Sequence, residues 1–120
     1  MERVRGYNMK IIVKEKEKAW ISHPTAKGVK IKILISKEEH EENVKCMLVK
    51  IAKGLEVPIH AHIYESDILY PLSGKFKIWV DGIGEFEVNK GMVVRIPKGI
   101  KHKIYDVQED TLIYDIFSQP

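Results

Sequence analysis

The stretch GLEVPIHAHIYESDILYPLSG, residues 54–74, sets two of the chain's five histidines one residue apart, follows them with Asp67, and is bounded by Gly54 and Gly74. In an extended strand, residues two apart project from one face. His60 and His62 then have Cα atoms about 6.6 Å apart, and both rings can converge on one metal ion. Composition alone would produce such a pair about 0.2 times in a chain of 120 residues, so the pair gains meaning only from its surroundings.

Those surroundings alternate with the period of a strand. GVKIKILIS puts Val29, Ile31, Ile33 and Ile35 on one side and Lys30 and Lys32 on the other. VKCMLVKIAKG is a second strand whose imperfect alternation implies a bulge or burial on both sides. In KFKIWVDGIGEFEVNKG, Phe76, Ile78 and Val80 share a face, Trp79 lies opposite, and Asp81-Gly82 marks a hairpin turn. MVVRIPKG, KHKIYDV and TLIYDIFS supply further strands. The polar run SKEEHEEN allows one exposed helical turn, capped by Ser36 with Glu39 reaching back. Many short strands at close spacing predict an all-β sandwich or barrel.

The spacing of particular residues narrows this further. From Gly54, five residues precede His60, one separates it from His62, four lead to Asp67 and six more to Gly74. From Gly91, five residues precede Pro97, one separates it from Gly99, two lead to His102 and three to Asp106. These two spacings resemble the paired signature motifs of the cupin superfamily, and the chain is identified as a small single-domain cupin. The resemblance implies a double-stranded β-helix, or jelly-roll barrel, spanning residues 1–120, with residues 1–8 a loose extension. Glycines 54, 74, 91 and 99 are expected where strands turn, because glycine tolerates positive φ.

The resemblance also implies that His60, His62, Asp67 and His102 are the protein ligands of one divalent transition metal. Three imidazoles and a carboxylate suit iron, manganese, nickel, copper or zinc. Two departures stand out. The family usually has glutamate where this chain has Asp67, so a three-histidine centre with Asp67 acting through water is the alternative, and Glu65 is a lower-ranked fourth ligand. Asp106 replaces the asparagine that ends the second motif. His23 and His40 read as solvated, Tyr64 as an exposed turn residue, and Cys46 as a small buried hydrophobe. Arg95 and Lys101 are the only candidates near the second motif for a phosphate site.

Composition sets the outer bounds. Twenty basic and 17 acidic residues are interspersed, giving a formal charge of +3 with no block suited to nucleic acid or anionic lipid. A single cysteine excludes an internal disulfide and a thiolate cluster, and favours a reducing cytoplasm. The apolar run Ile11 to Val13 is too short for a signal peptide or a membrane span. The expected activity is that of a metal-dependent enzyme on a small polar molecule, dioxygenase-like or isomerase-like. A non-catalytic metal or small-ligand binding module is the alternative. The resemblance, with Trp79 facing outward, also implies a homodimer.

Overall fold

A computed structural model describes residues 11–119. The expected extension at residues 1–8 lies outside them. Eight antiparallel strands form the fold: β1 (Ile21–Ser22), β2 (Lys30–Ile35), β3 (Val44–Ile51), β4 (Val57–His60), β5 (Ser66–Val80), β6 (Gly84–Asn89), β7 (Val94–Ile96) and β8 (His102–Ser118). Their order is β1-β2-β3-β8-β5-β6, with β4 added to β8 and β7 to β5. The expected all-β jelly roll is the architecture observed. No helix of the described residues is long and apolar enough to cross a membrane.

Strands β5 and β8 organise the barrel by pairing along nearly their whole lengths, from Ser66↔Ser118 to Val80↔His102. One end of β8 also pairs with β4, and the other pairs with β3. KHKIYDV and TLIYDIFS, read above as two strands, are therefore one. The break in their alternation is local: Asp106 has φ 47°. Asparagine and aspartate tolerate this left-handed conformation better than most residues. Before it the buried residues of β8 are His102 and Ile104, at even positions; after it they are Val107, Thr111, Ile113, Asp115 and Phe117, at odd positions.

Strand β5 makes the same change of phase. Asp67 and Leu69 are buried on one side of Gly74, and Phe76, Ile78 and Val80 on the other, with register shifts between Pro71 and Lys77. Gly74 is thus inside a strand, not at its end as the motif spacing implied. A bulge inserts a residue and swaps the faces. Only glycine fits there: φ is 102°, and a Cβ would stand 2.1 Å from Thr111 Oγ1 and 2.6 Å from Thr111 Cα. The loop Asp81–Ile83 closes the hairpin from β5 to β6, as the Asp-Gly pair predicts.

Inward residues of β2, β3, β5 and β8 meet in one apolar cluster that includes Ile31, Val49, Ile51, Phe76, Ile78 and Ile113. The irregular alternation of β3 is two-sided burial: Met47 and Val49 face the cluster, while Leu48 on the other face is also buried. Lys32, beside Leu48 in register, is buried against Trp20 and pairs with Glu15. The polar run forms one turn of helix, Lys37–His40, with Ser36 Oγ accepting from Glu39 N–H at 3.2 Å. The reciprocal bond differs from expectation: Ser36 N–H donates to His40 Nδ1 at 3.3 Å, which folds His40 back over its own turn.

Candidate metal centre

The four expected ligands come from three places in the fold and meet at one point. His60 ends β4 and is the direct register partner of His102, the first residue of β8. His62 follows two residues beyond, held by Gly99 N–H donating to its carbonyl at 2.7 Å, so the turn of the second motif is tied to the first. Asp67 enters from β5. One ligand atom from each of the four lies within 4.8 Å of the others.

The ring orientations are set by backbone. His60 Nδ1–H donates to Pro58 O at 2.8 Å and His102 Nδ1–H to Ile100 O at 2.9 Å. A carbonyl only accepts, so each neutral ring carries its proton on Nδ1 and presents the Nε2 lone pair. His62 Nε2 and His102 Nε2 each stand 3.4 Å from Asp67 Oδ2. Neither nitrogen has a hydrogen-bond partner, nor does Asp67 Oδ1, and all three are buried. Such atoms are costly unless something pairs with them. Two ligands about 2.1 Å from one metal stand roughly 3.0–3.4 Å apart at octahedral or tetrahedral angles. The donor set and its spacing fit a transition ion.

Asp115, which the sequence reading did not single out, completes this charge balance. It is buried on the same inner face as Asp67, one strand away on β8, where Leu69↔Asp115 and Asp67↔Phe117 are register partners. Burial raises the Asp115 carboxyl well above the usual range, and Asp67 raises it further. Burial alone would do the same to Asp67, but the hydrogen bond from Asp115 and the closeness of the His102 and His62 rings outweigh it and hold Asp67 well below the usual range. Two adjacent buried carboxyls cannot both ionise. Asp115 keeps its proton and donates it to Asp67.

A family model of the cupin domain matches residues 47–117, more than half of the chain and all four residues of the cluster. The chain belongs to the cupin family. Solved structures of similar fold include a predicted oxalate decarboxylase from Thermotoga maritima, with TM-score 0.80, 22% identity, and coverage of 92% of this chain and all of that one. KdgF from a Halomonas species has TM-score 0.76 and 22% identity, covering 91% and 94% of the two chains. The ectoine synthase of P. lautus has TM-score 0.78 and 17% identity over 92% and 78%. An uncharacterized protein of Streptomyces coelicolor is 32% identical over 56 residues, 47% of this chain and 52% of that protein. The match thus spans about half the length of that relative.

The cupin's histidines open onto a cavity of 340 Å³ that Lys45, Val49, Val57, Ile113 and Phe117 help to line. Phe117 sets its ring against His62, centroids 4.8 Å apart. Burial lowers the His60 pKa, with the neighbouring His102 and His62 adding to the effect against the Pro58 hydrogen bond, so its ring is held neutral. His23, expected in solvent, lines the same cavity. Its neighbours Pro24 and Thr25 carry it there, and Thr25 N–H and Ala26 N–H both donate to its Nδ1, at 3.1 and 2.9 Å. Glu65, the lower-ranked fourth ligand, lines the cavity without joining the cluster. Tyr64 is exposed, as expected, and so are Arg95 and Lys101, which line none of the cavity. Cys46 is only partly buried.

Proposed function

We propose that this cupin is a metal-dependent enzyme acting on a small polar molecule, with His60, His62, Asp67 and His102 holding one divalent transition ion. The observation that carries the reading is the set of buried, partnerless atoms His62 Nε2, His102 Nε2 and Asp67 Oδ1 gathered at one point. Three imidazoles and one carboxylate select iron, manganese, nickel, copper or zinc over calcium or magnesium. When bound, such an ion acts as a Lewis acid on a substrate oxygen.

The chain's own residues supply the rest. Pro58 O and Ile100 O fix two of the rings, and Asp115 orients Asp67 by donating to it. Phe117, Val49 and Val57 give the cavity apolar walls that strengthen electrostatic contacts with a bound molecule. The size of the cavity suits a small metabolite.

Elemental analysis of protein purified without an affinity tag or added metal tests this reading. The expected result is near one transition ion per chain. Iron, nickel or copper directs a substrate screen to oxygen chemistry of the dioxygenase kind, and zinc or manganese to isomerisation. A protein that carries no metal and takes up none on titration is instead a small-ligand binding module.

A further inference from the structure

Lys45 lies on the inner face of β3, in line with Met47, Val49 and Ile51, where that strand is otherwise apolar. It is only half-buried, and among the described residues no carboxylate forms an ion pair with it. Its Nζ instead stands 5.9 Å from the centre of the Phe117 ring, which also meets the His62 ring. A lysine turned inward at the rim of a cavity, held in no ion pair, is poised for an anion.

His23 lines the same cavity from the loop after β1. Because its Nδ1 accepts two backbone N–H bonds, the proton of the neutral ring is on Nε2. That N–H has no acceptor among the described residues. The double anchor fixes the ring in its donor tautomer before any ligand arrives, so no reorientation is needed on binding. Glu65 is the one acid of the rim, and it accepts from Gln119 Nε2–H at 3.4 Å. With a divalent ion at the histidines and the Lys45 ammonium beside it, Asp67 and Glu65 leave one positive charge uncompensated in the cavity.

We infer that the substrate is a small carboxylate whose acid group is received by Lys45 Nζ and His23 Nε2–H while another of its oxygens faces the histidine cluster. This rests on the metal-centre reading above and adds the chemical class of ligand. Neither residue belongs to the metal ligand set, so the two readings separate experimentally.

The probe is malonate, with neutral malonamide as its matched control, titrated calorimetrically into manganese-loaded protein. Malonate is expected to bind at least about tenfold more tightly than malonamide, since a hydrogen bond to a charged group is the difference between them. Lys45→Met is expected to weaken malonate about tenfold or more at unchanged manganese content, and Lys45→Arg to restore it to within about threefold. His23→Leu is expected to weaken malonate while malonamide changes less. Manganese uptake with malonate binding that is absent, no tighter than malonamide, or indifferent to both Lys45→Met and His23→Leu overturns the inference and leaves the metal centre standing. Failure to take up any of the five candidate metals overturns both.

Discussion

His60 and His102 are direct register partners across the β4–β8 ladder, their ring centres 4.3 Å apart, and each is steered by a backbone carbonyl two residues before it. The same local device thus aims two rings from opposite strands at one point. Replacing either ring with alanine removes a donor without touching the ladder itself. His60→Ala and His102→Ala are each expected to lose more than about a hundredfold in metal affinity, beyond the roughly 10–100-fold cost of losing an outer partner. Metal titration together with circular dichroism checks this; unchanged affinity in both variants would remove these residues from the ligand set.

Asp67 is expected to bind the ion directly, since one of its oxygens lies 3.4 Å from the Nε2 of both His62 and His102. Asp67→Ala should therefore cost as much affinity as loss of a histidine. Affinity within about threefold of the parent protein would make the site a three-histidine centre, with Asp67 an outer partner worth less than the usual tenfold.

Asp115 tests how Asp67 is held. Asp115→Asn keeps a donor for the Asp67 carboxylate, and Asp115→Ala leaves that carboxylate with one partner fewer. The asparagine variant is expected to retain metal affinity within a few-fold, and the alanine variant to lose about 10–100-fold. Equal losses in the two would show that shape at this position matters more than the donated hydrogen bond.

His60 and His23 should make stability fall as the solution is acidified through the ordinary histidine value, against the opposite contribution of Asp115, whose raised carboxyl holds a proton that the unfolded chain has lost. Burial lowers the pKa of His60 and of His23, and in His23 the neighbouring His62 and Lys45 add to it. At these two rings the unfolded chain therefore binds more protons than the folded one near and below the ordinary histidine value, and their contribution to stability rises with pH there. The stabilisation is present above about pH 6.5 and is lost as pH falls towards the lower, folded-state values. Thermal midpoints of metal-stripped Asp115→Asn protein, which lacks the opposing carboxyl, measured from pH 7.5 to 5 check the sign. A flat or rising midpoint on acidification contradicts it.

Gly74→Ala is expected to be the most damaging glycine substitution in the barrel. The new Cβ would collide with Thr111 backbone as well as its side chain, at a φ of 102°. Strain at such a φ costs about 1–3 kcal/mol before any displacement of β8 is counted. Gly82→Ala has φ 77° but open space around it, so its cost should stay near 1–2 kcal/mol, roughly that of the left-handed conformation alone. Denaturant unfolding of the two variants compares them directly.

Much of this architecture was legible because motif spacing and strand period speak to the same residues. His60, His62, Asp67 and His102 were all named from the sequence, and the structure brings them together. Asp115 and Lys45 were not. Both stand in strands whose two faces are apolar: Ile113, Asp115 and Phe117 alternate with Leu112, Tyr114 and Ile116, so alternation alone leaves the inner face undecided. The phase changes at Gly74 and Asp106 hide it further, since His102 and Asp115 face inward from positions of opposite parity. A parity change across a positive-φ residue was the available signal. His23 escaped because a polar loop in sequence became a cavity wall once two backbone amides captured its ring.

The pairing of β4 with β8 also fixes when a metal can enter. His60 and His102 are separated by some forty residues of chain and become neighbours only through that non-local ladder. Such contacts form late and slowly, because loop closure must be completed before they are rewarded. The local pair His60 and His62 is at most a weak chelate in the disordered chain. Metal capture at full affinity is therefore expected to follow barrel closure, with the proposed ion acting as a latch on a finished fold rather than as a template for it.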